Sequence, residues 1–87
     1  MIKRELIVPT RAGIHARPAS LIAQTASTFK CSVMIEKEDM KINAKSIMGI
    51  ITLGATYKTR LTLITEGEDE SEAADAICAL FSSKFEK

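Results

Sequence analysis

The feature that most constrains the fold is the way the spacing of apolar residues changes along the chain. Segments typical of β-strands alternate with segments whose apolar residues recur three and four positions apart, the spacing of an amphipathic α-helix. The predicted strands are KRELIVP (residues 3–9), CSVMIEK (31–37), MKIN (40–43) and RLTLIT (60–65). The predicted helices run from residue 16 to about 28–30, over 46–54, and over about 70–84. The order β-α-β-β-α-β-α favours an α+β structure in which helices pack on one face of a sheet.

The same spacing predicts which side chains form the core. Those expected to face inward are Ala19, Ile22, Ala23, Ala26, Leu61, Leu63, Ala73, Ala74, Ile77, Leu80 and Phe81. In the first strand, Ile2, Leu6 and Val8 share one face, Arg4 interrupts it and Ile7 lies on the other, so we expect both faces of this strand to be partly covered. In the second helix, Ile47, Ile50 and Ile51 share one face. Met48 lies off that face, and both an exposed contact and core packing remain open for it.

Local signals set several boundaries. Ser46 is a favoured N-cap for the second helix, and Gly54 is placed to end it. The pair Glu38-Asp39 between two strands fits a tight hairpin turn, so at least part of the sheet is antiparallel. The order of the strands in the sheet is not readable from this pattern.

Size and composition narrow the class of protein. The chain has 87 residues, of which 46% are hydrophobic, and these are enough for one domain over residues 1–87 with a packed core. A formal net charge of +1 argues against a general binder of nucleic acid or of membrane surfaces. Cys31 and Cys78 match no metal-binding or redox spacing, so we expect both to be buried and reduced, with no metal site and no cofactor. No apolar run is long enough to span a bilayer and no export signal is evident, which predicts a cytoplasmic protein.

The segment GIHARPAS (residues 13–20) contains the only histidine, at the start of the first predicted helix. With His15 at or near the N-cap, the backbone N–H groups of Ala16 and Arg17 have no acceptor within the helix, and Pro18 has no N–H. These donors and the positive end of the helix dipole suit a phosphate group. The guanidinium of Arg17 adds matching donors, and a neutral imidazole is a nucleophile. The pattern indicates that His15 can accept a phosphoryl group.

A structural interpretation of the same residues stays open at this point. A histidine before a helix often caps it or lies on the surface, and Pro18 is favoured in a first helical turn. Arg17 also suits a solvated helix position. The N-cap role explains Ser46, although a phosphoryl group there would change the surface charge without unfolding the protein.

The segments GIHARPAS and KSIMGIITLG (residues 45–54) together resemble the histidine-containing phosphocarrier protein family of the bacterial phosphotransferase system. The resemblance covers essentially the whole chain. It implies an open-faced β-sandwich, in which three helices lie on one face of a four-stranded antiparallel sheet. It also implies a phosphoryl relay in sugar uptake, not an autonomous enzyme. Nothing in the sequence suggests an obligate oligomer, so we expect a monomer.

The resemblance further implies roles for individual residues. His15 would be phosphorylated at Nδ1 by Enzyme I charged from phosphoenolpyruvate, Arg17 would assist transfer, and the EIIA component of a sugar permease would receive the group. Ser46 would be the regulatory site of an HPr kinase/phosphorylase, and the form phosphorylated there would bind a catabolite-control transcription factor. Partner docking is implied for Ser20, Ile47, Met48, Ile51 and Thr52.

Three departures from the family pattern bear on the choice of partner. The hairpin KEDMKIN lacks an Asn-Gly turn, ATYKTRLTL replaces the common Gly-Asp before the last strand, and Gln24 stands where many relatives carry a basic residue. Two other functions remain at this stage. One is a purely regulatory binding module switched at Ser46, and the other is a carrier dedicated to nitrogen or other regulation.

Overall fold

The computed structural model describes residues 1–86 and has the predicted order of elements. The strands are β1 (Ile2–Ile7), β2 (Ser32–Lys37), β3 (Met40–Asn43) and β4 (Arg60–Glu66). The helices are α1 (Ala16–Ser27), α2 (Ile47–Thr52) and α3 (Glu70–Ser82). Each boundary lies close to the predicted one, because local spacing and capping residues determine it.

The four strands form one antiparallel sheet in the order β1-β4-β2-β3. Strand β4 is central, with Leu61 opposite Leu6 of β1 and Leu63 opposite Ile35 of β2. These inward side chains are buried against the helices, whereas Ile7, on the other face, is exposed. The fold is therefore the open-faced sandwich that the resemblance implied.

The helical core positions are confirmed. On α1 and α3 the buried side chains include all those with the predicted spacing, namely Ala19, Ile22, Ala23, Ala26, Ala73, Ala74, Ile77, Leu80 and Phe81. Helix α3 contacts β1, β4 and α1, and α1 also contacts α2. The core thus holds the N-terminus of α1 in a defined position on the surface.

The apolar face predicted for α2 is buried at only one position. Ile50 is fully buried, while Ile47 and Ile51 are 42% and 37% exposed and Met48 is 68% exposed. The helix has only six residues and packs against α1 and β3 with Ile50 as its one buried side chain. Of the two interpretations left open for Met48, the exposed one is confirmed.

Two further expectations need correction. Helix α3 ends at Ser82 instead of residue 84, because Lys84 adopts a left-handed backbone (φ 58°). The N–H of Phe85 then donates to the carbonyl of Leu80 (2.8 Å), which closes a Schellman-type end and buries the Phe85 ring. Of the two cysteines, both free thiols, Cys31 is buried as predicted but Cys78 is only half-buried.

Candidate functional site

His15 is the N-cap of α1, as the sequence predicted. Its backbone is extended (φ −108°, ψ −159°), and its carbonyl accepts the N–H of Ala19 at 2.9 Å. Within the described residues 1–86 the imidazole makes no capping hydrogen bond, and the residue is exposed. The side chain is therefore held at a helix start by its backbone alone, with its ring accessible to a partner.

The segment before the histidine is anchored to the loop that follows α2. The N–H of Ile14 donates to the carbonyl of Ala55 at 3.0 Å, and the side chain of Ile14 is buried. Gly13 has a left-handed backbone (φ 75°), and a Cβ there would lie 2.7 Å from the oxygen of Ala55. Only glycine fits this contact without displacement, so Gly13 allows the two loops to approach closely and positions His15.

The first turn of α1 has the free donors expected of an anion site. The first backbone N–H of the helix bonded to a preceding carbonyl is that of Ala19, and Pro18 has no N–H. The amides of Ala16 and Arg17 precede it and lie at the positive end of the helix dipole. These are the two backbone donors that the sequence singled out.

The guanidinium of Arg17 has a partner that the sequence did not suggest. Its NH1 donates to the backbone carbonyl of Phe85 at 3.4 Å, a long hydrogen bond to the chain segment after α3. Arg17 is exposed, and this contact gives the guanidinium a resting partner on the segment after α3. Sequence reasoning missed Phe85, because no local signal connects the end of α3 with the start of α1.

Ser46 is the N-cap of α2, as predicted. Its Oγ accepts the N–H of Gly49 at 3.1 Å, and the residue is exposed. The side chain of Thr52 donates to the carbonyl of Gly49 at 2.6 Å, so both ends of the short helix are closed by hydroxyl groups. Ser46 therefore has a clear structural role, and its hydroxyl is also accessible from solvent.

The residues expected to dock partners are exposed in the main. The exposed apolar side chains of α2 are those of Ile47, Met48 and Ile51. Helix α2 packs against α1, where the amide of Gln24 donates to the half-buried Ser20 at 3.4 Å. The apolar surface of α2 thus adjoins the helix that begins at the histidine.

Sequence reasoning also missed a group of residues that we call the Tyr57 cluster, consisting of Arg11, Tyr57 and Lys58. The Cζ of Arg11 and the Nζ of Lys58 each lie 5.4 Å from the centroid of the Tyr57 ring, within cation–π range. One signal in the sequence pointed to this cluster, the departure of ATYKTRLTL from the family pattern. That departure indicated a differently shaped loop before β4 but not that Arg11 would contact Tyr57.

Two carboxylates with lowered pKa values lie at the other end of α3 from Phe85. The backbone N–H groups of Lys30 and Cys31 both donate to Asp69, each at 2.9 Å, and these bonds lower the pKa of that carboxyl. Glu70 accepts the N–H of Gly67 and the N-terminal ammonium, and both bonds lower its pKa. These contacts fasten the start of α3 to the sheet and belong to the fold.

Two kinds of feature are absent from residues 1–86. No group of three or more His, Cys, Asp or Glu side chains there is placed to hold a metal ion. In the same part of the chain, no helix has both the length and the apolar character needed to cross a membrane.

A family model described as "PTS HPr component phosphorylation site" matches residues 2–83. The chain belongs to the PTS-HPr family. Among curated relatives, it is 45% identical over 87 residues to the phosphocarrier protein HPr of Treponema pallidum (strain Nichols), covering 100% of this chain and 99% of that one. It is 43% identical over 79 residues to the HPr-like protein Crh of Bacillus subtilis (strain 168), covering 91% and 93% of the two chains. The relatives of this chain therefore include both HPr and HPr-like proteins.

Solved structures show the same fold. A crystal structure of HPr-C-His from Thermoanaerobacter tengcongensis superposes with a TM-score of 0.94 at 44% identity, covering 100% of this chain and 99% of that chain. A Bacillus subtilis Crh structure, described as a dimer with a swapped domain, superposes with a TM-score of 0.77 at 39% identity and covers 100% of both chains. A dimer therefore occurs among the structural neighbours, and the monomeric state expected for this chain stays a prediction.

Proposed function

We propose that this chain is a phosphocarrier of the sugar phosphotransferase system. It accepts a phosphoryl group from phospho-Enzyme I on Nδ1 of His15 and passes it to EIIA components of sugar permeases. The observation that carries the proposal is the exposed imidazole at the N-terminus of α1, beside two amides without helical acceptors. Membership of the PTS-HPr family supports the same conclusion.

The chemistry follows from this placement. The lone pair of Nδ1 attacks phosphorus, a new N–P bond forms, and the bond from phosphorus to the donor breaks with its electron pair leaving on the donor. The amides of Ala16 and Arg17 donate to the phosphoryl oxygens and offset their charge. Arg17 assists when its guanidinium leaves the long bond to Phe85 and adds its donors.

A relay also has to release the group. Two amides and one mobile cation hold a phosphoryl group less firmly than a closed ring of donors would, so the next acceptor can remove it. In this proposal the carrier works in the cytoplasm as a monomer, and most of the catalysis of each transfer comes from the partner's active site.

The test is phosphorylation with phosphoenolpyruvate and catalytic amounts of Enzyme I, followed by intact mass before and after mild acid. We expect one added phosphate that acid removes and that is absent from His15→Ala. A folded protein that stays unmodified beside an active Enzyme I control would overturn the relay. Phosphorylation of His15→Ala would show that another residue accepts the group.

A second function, regulation through Ser46, is favoured by the exposed Oγ at the N-cap of α2 beside exposed apolar side chains. We propose that an HPr kinase/phosphorylase modifies Ser46, and that the modified form binds a catabolite-control transcription factor. About two negative charges next to Ile47 and Met48 would repel acidic partners and attract basic ones. Ser20, Ile51 and Thr52 complete the docking surface in this proposal.

The Ser46→Asp variant tests this second function. We expect its affinity for Enzyme I to fall relative to the wild type, with Ser46→Asn as the uncharged capping control. Equal affinities for wild type and both variants would remove the case for a charge switch at this position.

A further inference from the structure

The Tyr57 cluster lies on the surface and is fastened to the segment that precedes the imidazole. The N–H of Ile14 donates to the carbonyl of Ala55, and the N–H of Lys58 donates to the carbonyl of Val8, each at 3.0 Å. These bonds lie on either side of Tyr57 in the chain. The cluster therefore sits next to the start of α1 in a fixed arrangement.

The two cations of the cluster have no acidic partner nearby. Neither Arg11 nor Lys58 forms an ion pair with any of residues 1–86. The two loops concerned, residues 8–15 and 54–59, contain no Asp or Glu. The positive charges are therefore free to interact with an external anionic group.

Acidic charge is concentrated at the N-terminal end of α3, with Glu86 as the one acidic residue after the C-terminal end of the helix. The acidic residues at the N-terminal end lie within residues 66–75, whereas Phe85, after the C-terminal end, contacts Arg17. A helix of 13 residues is about 20 Å long, so the acidic and basic regions lie well apart. Such a distribution orients an approaching acidic protein toward the basic end.

The backbone of Lys58 gives a second, independent observation. It is left-handed (φ 66°), a conformation that glycine adopts freely and that disfavours other residues. A lysine at such a position adds strain and contributes no buried contact, since its side chain is exposed. Lys84 has the same conformation because it ends α3, but Lys58 does not end a helix, and strained residues cluster at functional sites.

Tyr57 gives the cluster its specific character. Its ring is 40% exposed and holds two long cationic side chains in place, which reduces the conformational entropy they lose on binding. Aromatic and arginine side chains are also enriched at protein interfaces. The cluster is therefore a preorganised contact surface for an acidic protein.

We propose that the Tyr57 cluster docks an acidic patch on the protein that donates the phosphoryl group to His15. The inference rests on the proposed phosphocarrier function. The partner is the phosphoryl donor and not the acceptor, because the donor binds the carrier before His15 is phosphorylated. At that stage no phosphoryl charge offsets the positive charge of the cluster. Once His15 carries a phosphoryl group, the added negative charge weakens the attraction and favours release of the donor.

The experiment measures the equilibrium affinity of Enzyme I from the same genome by titration calorimetry, without phosphoenolpyruvate. The test variant is Arg11→Gln/Lys58→Gln, and the control is Lys3→Gln/Lys41→Gln, which removes two exposed cations from the sheet. We expect Kd to rise about tenfold in the test variant and less than about twofold in the control at low salt. The difference should shrink at about 0.5 M salt, where screening acts over roughly 5 Å.

Two single variants test the contributions of the Tyr57 ring and of the left-handed Lys58 backbone. Tyr57→Leu keeps both charges, and loss of the ring should raise Kd about threefold. Lys58→Gly relieves the left-handed strain while removing one charge, so it should weaken binding with an unchanged or higher melting temperature. A loss of affinity caused by misfolding would instead lower the melting temperature.

The outcomes distinguish this inference from the proposed function. The docking inference is overturned if Arg11→Gln/Lys58→Gln binds Enzyme I with the wild-type Kd, or if the control variant loses as much affinity as the test variant. Either result leaves phosphorylation of His15 unaffected. Phosphorylation is scored separately by mass, so its failure in a wild type that still binds Enzyme I contradicts only the relay. A wild type that does not bind Enzyme I at all overturns the docking inference as well.

Discussion

Replacing Gly13 by alanine should destabilise the protein through two separable effects. The left-handed backbone costs a residue with a Cβ about 1–2 kcal/mol, offset by about 0.4–1 kcal/mol because alanine restricts the unfolded chain. The new Cβ would also lie 2.7 Å from the oxygen of Ala55 and 3.2 Å from the Cα of Thr56. Forcing these backbone atoms apart adds about 1–3 kcal/mol. The expected total is about 2–4 kcal/mol.

Gly54 offers a matched control for this prediction. Its backbone is also left-handed (φ 60°), but a Cβ there would meet nothing within 4 Å. Gly54→Ala should therefore show only the conformational effect, about 1 kcal/mol. The difference between the two variants therefore measures the contact of the new Cβ at residue 13 with Ala55 and Thr56.

Urea denaturation followed by far-UV circular dichroism measures both losses. Each kcal/mol corresponds to about 4–8 °C in melting temperature for a domain of this size. We also expect Gly13→Ala to accept phosphate more slowly at temperatures where it is folded, because displacement of Ala55 moves Ile14 and the histidine after it. Equal unfolding free energies for the two alanine variants would show that the two loops separate without cost, contrary to this prediction.

Three further predictions concern caps, acid stability and the arginine. Ser46→Ala should lose about 1 kcal/mol of unfolding free energy, whereas Ser46→Asp should melt like the wild type, because aspartate is also a good N-cap. Equal melting temperatures for the wild type and both variants would contradict the capping role. The pKa values of Asp69 and Glu70 are lowered in the folded state, so their contribution to stability is present above their ordinary values of 3.8 and 4.5 and is lost as pH falls through the folded values. In urea titrations at several pH values, the unfolding free energy of Asp69→Asn should fall less steeply with decreasing pH than that of the wild type. Parallel curves for the two proteins would contradict a contribution of Asp69 to acid stability. Arg17→Glu should slow phosphorylation strongly while changing stability by less than about 1 kcal/mol, because its bond to Phe85 is long and exposed; a large drop in melting temperature would contradict this.

Much of the fold was predictable because it depends on neighbours in the chain. The spacing of Ala19, Ile22 and Ala23 predicted the buried side of α1, and Ser46 and Gly54 predicted the ends of α2. The failures have tertiary causes. Helix α3 stopped early because the ring of Phe85 enters the core.

The candidate site was predictable in part for the same reason. The position of His15 before a helix and the free amides after it follow from the rules for helix starts. The contact of Arg17 with Phe85 joins residues 68 positions apart, and no local pattern encodes it.

The local sequence accounts for the type of each element, for most element limits except the end of α3, and for most of the core, the caps at His15 and Ser46, and the family. Each of these depends on residues within a few turns of one another, or on a motif contained in one segment. Only the tertiary structure decided the strand order, the exposure of Ile47 and Ile51, and the meeting of Arg11 with Tyr57. Those features depend on which distant surfaces pack together, and the same local sequence is compatible with more than one such arrangement.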